Sequence, residues 1–337
     1  MSRFVAILTM ALTGIATTYA GSLGINPGNV LNPDGTVSIG LLPNTGIPNG
    51  TPLTANPDGI TGSGFAQRNY FGSAVVLNGA QVNPLLPGHA TACAANCQNT
   101  IYAPGSVPEF NLLGDNVFAD KANNSNFWYS VSAGTGAGAS TITIPIGIFG
   151  VNTISTMLNT AGGVTTGGTI GGNANAYASI SFQFNATDAT GLTGTNVFET
   201  FALLNGTTQR NILDGLGGYA STISSSYTAT DMGTAAGTNY TVKTGNDWIG
   251  TVNSAGTGVP INSTMVLDYQ MFPVLNAYRS DFLVAVIVTD TGTGSGVNFS
   301  HEILSGITVT TPEPSTVLMV LSGFGAIGLA RLRRRRS

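Results

Sequence analysis

The stretch ASISFQF, Ala178 to Phe184, decides the fold. Ile180, Phe182 and Phe184 alternate with Ser179, Ser181 and Gln183, and a period of two puts the apolar set on one face of a strand and the polar set on the other. A second stretch, FLVAVIV from Phe282 to Val288, is apolar throughout and β-branched, which fits a central strand covered on both faces. Similar short runs predict strands at 70–77, 127–132, 141–149, 197–204, 265–272 and 303–310. One helix is expected where Ile154, Met157 and Leu158 share a helical face, with Asn152 or Thr153 to cap it and Gly162 to end it. Many short strands, Gly-rich turns and almost no helix predict an all-β chain, a β-sandwich of jelly-roll type.

Composition agrees. The chain has 337 residues with 46 Gly, 15 Pro and only 8% charged residues, and its apolar residues fall in short runs. Such a chain keeps its surface wet with Asn, Thr and Ser, as exported β-rich proteins do. Residues 21–64 form a turn-rich arm in which Asn32-Pro33-Asp34-Gly35 recurs as Asn56-Pro57-Asp58-Gly59. Pro second, Asp third and Gly last suit a reversing turn. Residues 65–311 are the expected sandwich. With both ends set aside, five basic residues face fourteen acidic ones, a net charge near −9. That field repels phosphate backbones, so nucleic acid is excluded as a partner.

The start, residues 1–20, has one Arg, an apolar core from Phe4 to Ala16 and small residues up to Ala20, the layout of a secretory signal peptide. At the other end, Ser315 to Ala330 is uncharged; as a helix these 16 residues would span roughly 24 Å, close to a bilayer core. Arg331, Arg333, Arg334, Arg335 and Arg336 follow, and the positive-inside rule keeps them cytoplasmic. Both ends predict one topology, with the body exported.

Pro312-Glu313-Pro314, then the apolar run with Gly323, Gly325 and Gly328, then terminal arginines, closely resemble the PEP-CTERM sorting signal of exported bacterial proteins. The resemblance covers 312–337. It implies a precursor held transiently in the inner membrane of a Gram-negative-type bacterium by a helix over 315–330. It implies cutting near Pro-Glu-Pro by an exosortase-type transpeptidase, and delivery to the cell surface or extracellular polysaccharide matrix. Pro312 and Pro314 suit this, since they keep the segment extended and outside any helix. The stretch 265–310 loosely resembles the sandwich bodies of such proteins, and the tail also resembles that of proteins described as ice-binding. Leu42-Pro43-Asn44-Thr45-Gly46 spells another sortase signal, but no membrane segment directly follows it, so it reads as a turn.

Catalytic patterns are sparse. Cys93 and Cys97 in an exported chain most simply form a disulfide closing a small loop; a metal would need more ligands than nearby His89. His301 beside Glu302 reads as a surface pair rather than a base, and no GxSxG elbow is present. Gly215-Leu216-Gly217-Gly218-Tyr219-Ala220 follows no strand of a βαβ unit, so it is no dinucleotide site. Glu109, Glu199 and Glu302 offer carboxylates for glycosidic cleavage, but no spacing singles out a pair. Asp188 and Asp290 beside turns could hold a structural calcium, and no other cofactor or metal is implied. Trp128, Tyr129 and Trp248 could stack on sugars, but Phe127-Trp128-Tyr129 reads equally as a half-buried strand. The expectation is a non-enzymatic surface protein with a structural or binding role. The alternatives are a lectin or glycoside hydrolase, or an ice-binding surface protein, for which Thr141-Ile142-Thr143 and Thr308-Val309-Thr310 look too isolated.

Overall fold

The computed structural model describes residues 29–31, 35–41, 59–68, 75–77, 99–101, 110–112, 127–130, 139–161, 178–188, 191–192, 194–203, 208–209, 225–252, 264–290 and 301–311. The first strands are β1 (Val30–Leu31), β2 (Val37–Ser38), β3 (Thr61–Ser63), β4 (Phe65–Arg68), β5 (Val75–Leu77), β6 (Asn99–Ile101) and β7 (Phe110–Leu112). Next come β8 (Phe127–Ser130), β9 (Ser140–Phe149), β10 (Thr153–Ala161), β11 (Ala178–Asn185), β12 (Thr187–Asp188), β13 (Gly191–Leu192) and β14 (Val197–Leu203). The last are β15 (Ser226–Thr230), β16 (Asn239–Val252), β17 (Thr264–Pro273), β18 (Phe282–Asp290) and β19 (His301–Thr310).

Two antiparallel sheets make the sandwich. The larger, of ten strands, runs β1-β2-β19-β10-β17-β16-β15, with β8 on β19, β4 on β8 and β5 on β16. The smaller runs β14-β11-β18-β9-β3. β10 pairs with β17 in one sheet while β9 pairs with β18 in the other, so the segments β9–β10 and β17–β18 pass from sheet to sheet as an antiparallel ribbon, the wrapping of a jelly-roll-like fold. Alternation in β11 and β9 supplies the inner face: Ile142, Ile144, Ile146, Ile180, Phe182 and Phe184 are fully buried. Phe182 and Phe201 of the smaller sheet meet Phe272 and Tyr240 of the larger, with ring centroids 5.1 to 5.3 Å apart. Burying each such ring contributes about 1.5–3 kcal/mol over leaving it exposed.

Two expectations are corrected. The segment read as a helix is β10, whose residues from Ile154 to Thr160 are all buried. Ile154 and Leu158 join the core between the sheets while Met157 is buried outside it, and burial of both faces erases the period-two signal. The reverse holds for β18, which is the middle strand of its sheet but has one covered face: Leu283, Val286 and Val288 are buried, Val284 and Ile287 half-buried. On either side of the first Asn-Pro-Asp-Gly copy β1 and β2 pair antiparallel, and its Gly35 takes a φ of 83°.

The edge strand β14 is closed by the turn between β15 and β16. Thr234 N–H donates to Phe198 O (2.7 Å), Met232 N–H to Thr200 O (2.8 Å), and Thr200 N–H to Asp231 Oδ1 (2.8 Å). A turn of the larger sheet thereby takes the place of a neighbouring strand. Gly233 permits the approach: a Cβ there would lie 2.2 Å from Phe198 O.

Candidate functional site

Two groups of buried acids lie within the sandwich. In the first, Glu302 near the start of β19 accepts both hydrogen bonds of the Gln209 amide (2.7 and 2.9 Å), and Ser130 Oγ of β8 donates to Asp290 Oδ2 of β18. Glu302 N–H donates to Ser130 Oγ (2.9 Å), and His301 Nδ1–H donates to the Ser130 carbonyl. Burial, then the charge of Asp290, pushes the Glu302 carboxyl well above its ordinary range, with Gln209 pulling it down. The expected surface pair His301 and Glu302 is thus half interior: Glu302 is buried, while His301 is half-buried and stacks on Tyr129 (4.6 Å).

In the second group, Glu199 of β14 accepts Tyr240 O–H and Leu275 N–H at the same Oε1, both at 2.8 Å. Its Oε2 and Asp231 Oδ2 are buried without a hydrogen-bond partner. Burial first, with Asp231 adding, pushes Glu199 up to about 7 against the pull of Leu275, Tyr240 and Arg279. Glu199 thereby braces three elements: β14, β16 and the link from β17 to β18. Neither Glu199 nor Glu302 has surface to offer a substrate, since both are at most 1% exposed. Of the two readings of Trp128, sugar platform or strand residue, the strand holds: it lies in β8 and is buried, with its Nε1 unpartnered. Tyr129 is also buried. Asp290 is buried on its hydrogen bonds, and among the described residues no group of three His, Cys, Asp or Glu could hold a metal ion.

The outer face of the smaller sheet has the opposite character. In register across it run Ser63, Thr141, Thr289, Ser179 and Ala202, and beside them Thr61, Thr143, Ile287, Ser181 and Thr200. None of these side chains is charged, and all are half-buried or exposed. Thr141 and Thr289 hydroxyls lie 3.4 Å apart, those of Ser181 and Thr200 2.9 Å. In sequence β9 shows an isolated Thr-x-Thr, β11 a Ser-x-Ser and β3 a Thr-x-Ser, while β18 and β14 contribute only Thr289 and Thr200; the register that aligns them into rows has no local signal.

β19 ends at Thr310, and the tail follows directly. Residues 310–336 match the PEP-CTERM protein-sorting motif. The PEP-CTERM signal marks the chain as an exported bacterial protein, targeted to an exosortase as a membrane-anchored precursor. No curated protein and no solved structure matches the chain significantly. The PEP-CTERM residues Pro312, Glu313 and Pro314, the arginines 331 and 333–336, the helix expected over 315–330, the signal peptide, Cys93, Cys97, His89 and Glu109 lie outside the described residues, as do the side chains of Asp188 and Trp248. Among the described residues no helix is long and apolar enough to cross a membrane.

Proposed function

We propose that the protein is a non-enzymatic binding module of the cell surface or extracellular matrix, and that the outer face of its smaller sheet binds neutral polysaccharide. The observation that carries this reading is the uncharged, hydroxyl-lined double row across five strands. Adjacent strands stand about 4.8 Å apart, and like-facing residues about 6.8 Å apart along a strand, so the rows offer a regular array of donors and acceptors to the hydroxyls of a polymer laid across them. An anionic polymer would meet the negative field of the body, whereas a neutral one would not. Glu199 and Glu302, two of the acids that a hydrolase could have used, serve as internal braces. The tail holds the precursor in the inner membrane until an exosortase cuts near Pro312-Glu313-Pro314 and frees the body.

Co-sedimentation of the protein released by its host with insoluble neutral glucans and with the matrix polysaccharide tests this. The wild type is expected in the pellet, and Thr143→Lys with Ser181→Lys in the supernatant, with thermal unfolding of the two alike. A wild type that stays in solution with every neutral glycan, or a pellet untouched by the two lysines, sinks the reading. Mass spectrometry of the released form is expected to find it without the terminal arginines.

A further inference from the structure

Four chain segments meet at one end of the sandwich. The crossover from β9 to β10 (Gly150, Val151, Asn152) and the crossover from β17 to β18 (residues 274–281) both lie there. So does the start of the tail: Asn152 N–H donates to Thr310 O (2.8 Å), Val274 N–H to Asn152 O (2.9 Å) and Gly150 N–H to Asp281 O (3.2 Å). The reversal from β1 to β2 is alongside, since Leu31 is opposite Val37 and Val37 opposite Val309.

This end is apolar where it should be wet. Three large hydrophobic side chains are exposed among the described residues, Leu31 (69%), Met232 (53%) and Phe149 (52%); Leu31 and Phe149 stand beside the crossovers, and Met232 is on the β15–β16 turn, further along the same end. Phe149 packs on half-buried Phe282, ring centroids 5.2 Å apart, so the exposed surface is an aromatic pair and not one stray ring. The charged residues of the two crossovers are Arg279 and Asp281 alone. Arg279 is exposed, with Nε–H fixed on Val274 O at 3.0 Å.

The tether decides what faces this end. Between Thr311 and the apolar run that begins at Ser315 stand only Pro312, Glu313 and Pro314. At about 3.1 Å per residue of extended, proline-rich chain, they reach roughly 12 Å. The headgroup layer on each side of a bilayer is itself about 5–8 Å deep. A body held by that tail cannot stand clear of the membrane, and the surface nearest the lipid is the one the tail leaves.

We propose that this end of the sandwich seats on the lipid interface of the membrane that anchors the precursor, with Leu31, Phe149 and Phe282 as its apolar contacts and Arg279 among the headgroups. The proposal rests on the membrane-anchored reading of the tail. Seating trades water for acyl and headgroup atoms around the exposed rings and gives the guanidinium anionic phosphates to pair with. It also holds Pro312-Glu313-Pro314 at one height, where a membrane-embedded transpeptidase works. Once the tail is cut, a few apolar side chains alone make only a reversible contact, and the body leaves.

The full-length chain in vesicles of phosphatidylethanolamine and phosphatidylglycerol tests this. Flotation comes first: a chain that does not float with the vesicles is not anchored, and the seat falls with the anchor. For a floating chain, Phe149→Trp adds fluorescence that brominated phospholipid should roughly halve, given a bromine near the headgroup boundary. Ser63→Trp, at the far end of the smaller sheet, should keep its added fluorescence. Floating protein with Phe149→Trp unquenched overturns the seat and leaves the anchor standing; equal quenching of both overturns it too, because the body would then lie on its side. Quenching that disappears on dilution to one chain per vesicle points to a second copy as the occupant, and also overturns it. Should Phe149→Trp disturb folding, hydroxyl-radical labelling of the wild type probes the same contact without a substitution. Leu31 and Phe149 are expected to be shielded by vesicles while half-buried His301, at the opposite end of β19, is not, and equal labelling with and without vesicles overturns the seat.

Discussion

The two sheets meet across one core but fill it by different rules. The smaller contributes Ile142, Ile144, Ile146, Ile180, Phe182 and Phe184, an almost unbroken apolar layer. The larger buries Thr156, Asn159, Asp268, Gln270 and Glu302 among its apolar residues, and gives them partners: Thr156 Oγ1 donates to Gln270 Oε1 (3.0 Å), Gln270 Nε2 to Leu158 O (3.0 Å) and Asn159 Nδ2 to Asp268 Oδ2 (3.2 Å). The smaller sheet is therefore held by burial, which is non-directional, and the larger partly by hydrogen bonds that fix which strand lies beside which.

The largest expected effect tests the apolar side. Phe182→Ala should destabilise by about 3–5 kcal/mol, because it removes the ring that Phe201 and Phe272 both pack on and leaves a cavity. Urea unfolding would measure it, and a loss under about 1 kcal/mol would mean that the polar layer carries the fold.

Next is the acid at the junction of the sheets. Glu199 holds its proton up to about 7 in the folded chain against an ordinary 4.5, so the folded state binds more protons than the unfolded between those values. Stability from this group is fully present below pH 4.5 and lost as pH rises toward 7, a loss on the order of 3 kcal/mol. Glu199→Gln keeps a neutral side chain at every pH and should flatten that slope in thermal melts across pH 4.5 to 8; a slope the variant leaves unchanged would move the effect to other groups. The smallest effect sharpens the polar side. Thr156→Val keeps the volume and deprives Gln270 Oε1 of its donor, for an expected cost of about 1–2 kcal/mol; a neutral result would show the larger sheet to be held as the smaller one is.

The same contrast explains what the sequence made legible. Where one face is covered, alternation is written in the residues, and β11 and β9 were plain from ASISFQF and TITIPIGI. Where both faces are covered, as in β10, Ile154, Met157 and Leu158 fall at a spacing that also fits a helix, and only pairing with β17 and β19 decides. Sites divide likewise. The sorting tail is contiguous, so its order of proline, apolar run and arginine was readable. The partners of Glu199 and Glu302 come from residues up to 172 positions away, through Ser130, and the hydroxyl rows need five strands in register. Trp128 stayed open between platform and strand because its strand is short and its burial comes from distant strands.

The turn that covers β14 bears on life outside the cell. An exported protein meets other copies of itself beyond the cytoplasm. An uncovered rim of amides on one copy would recruit the rim of the next, and the array would grow as a fibre. One backbone loop, passing where only glycine fits, removes that rim from β14.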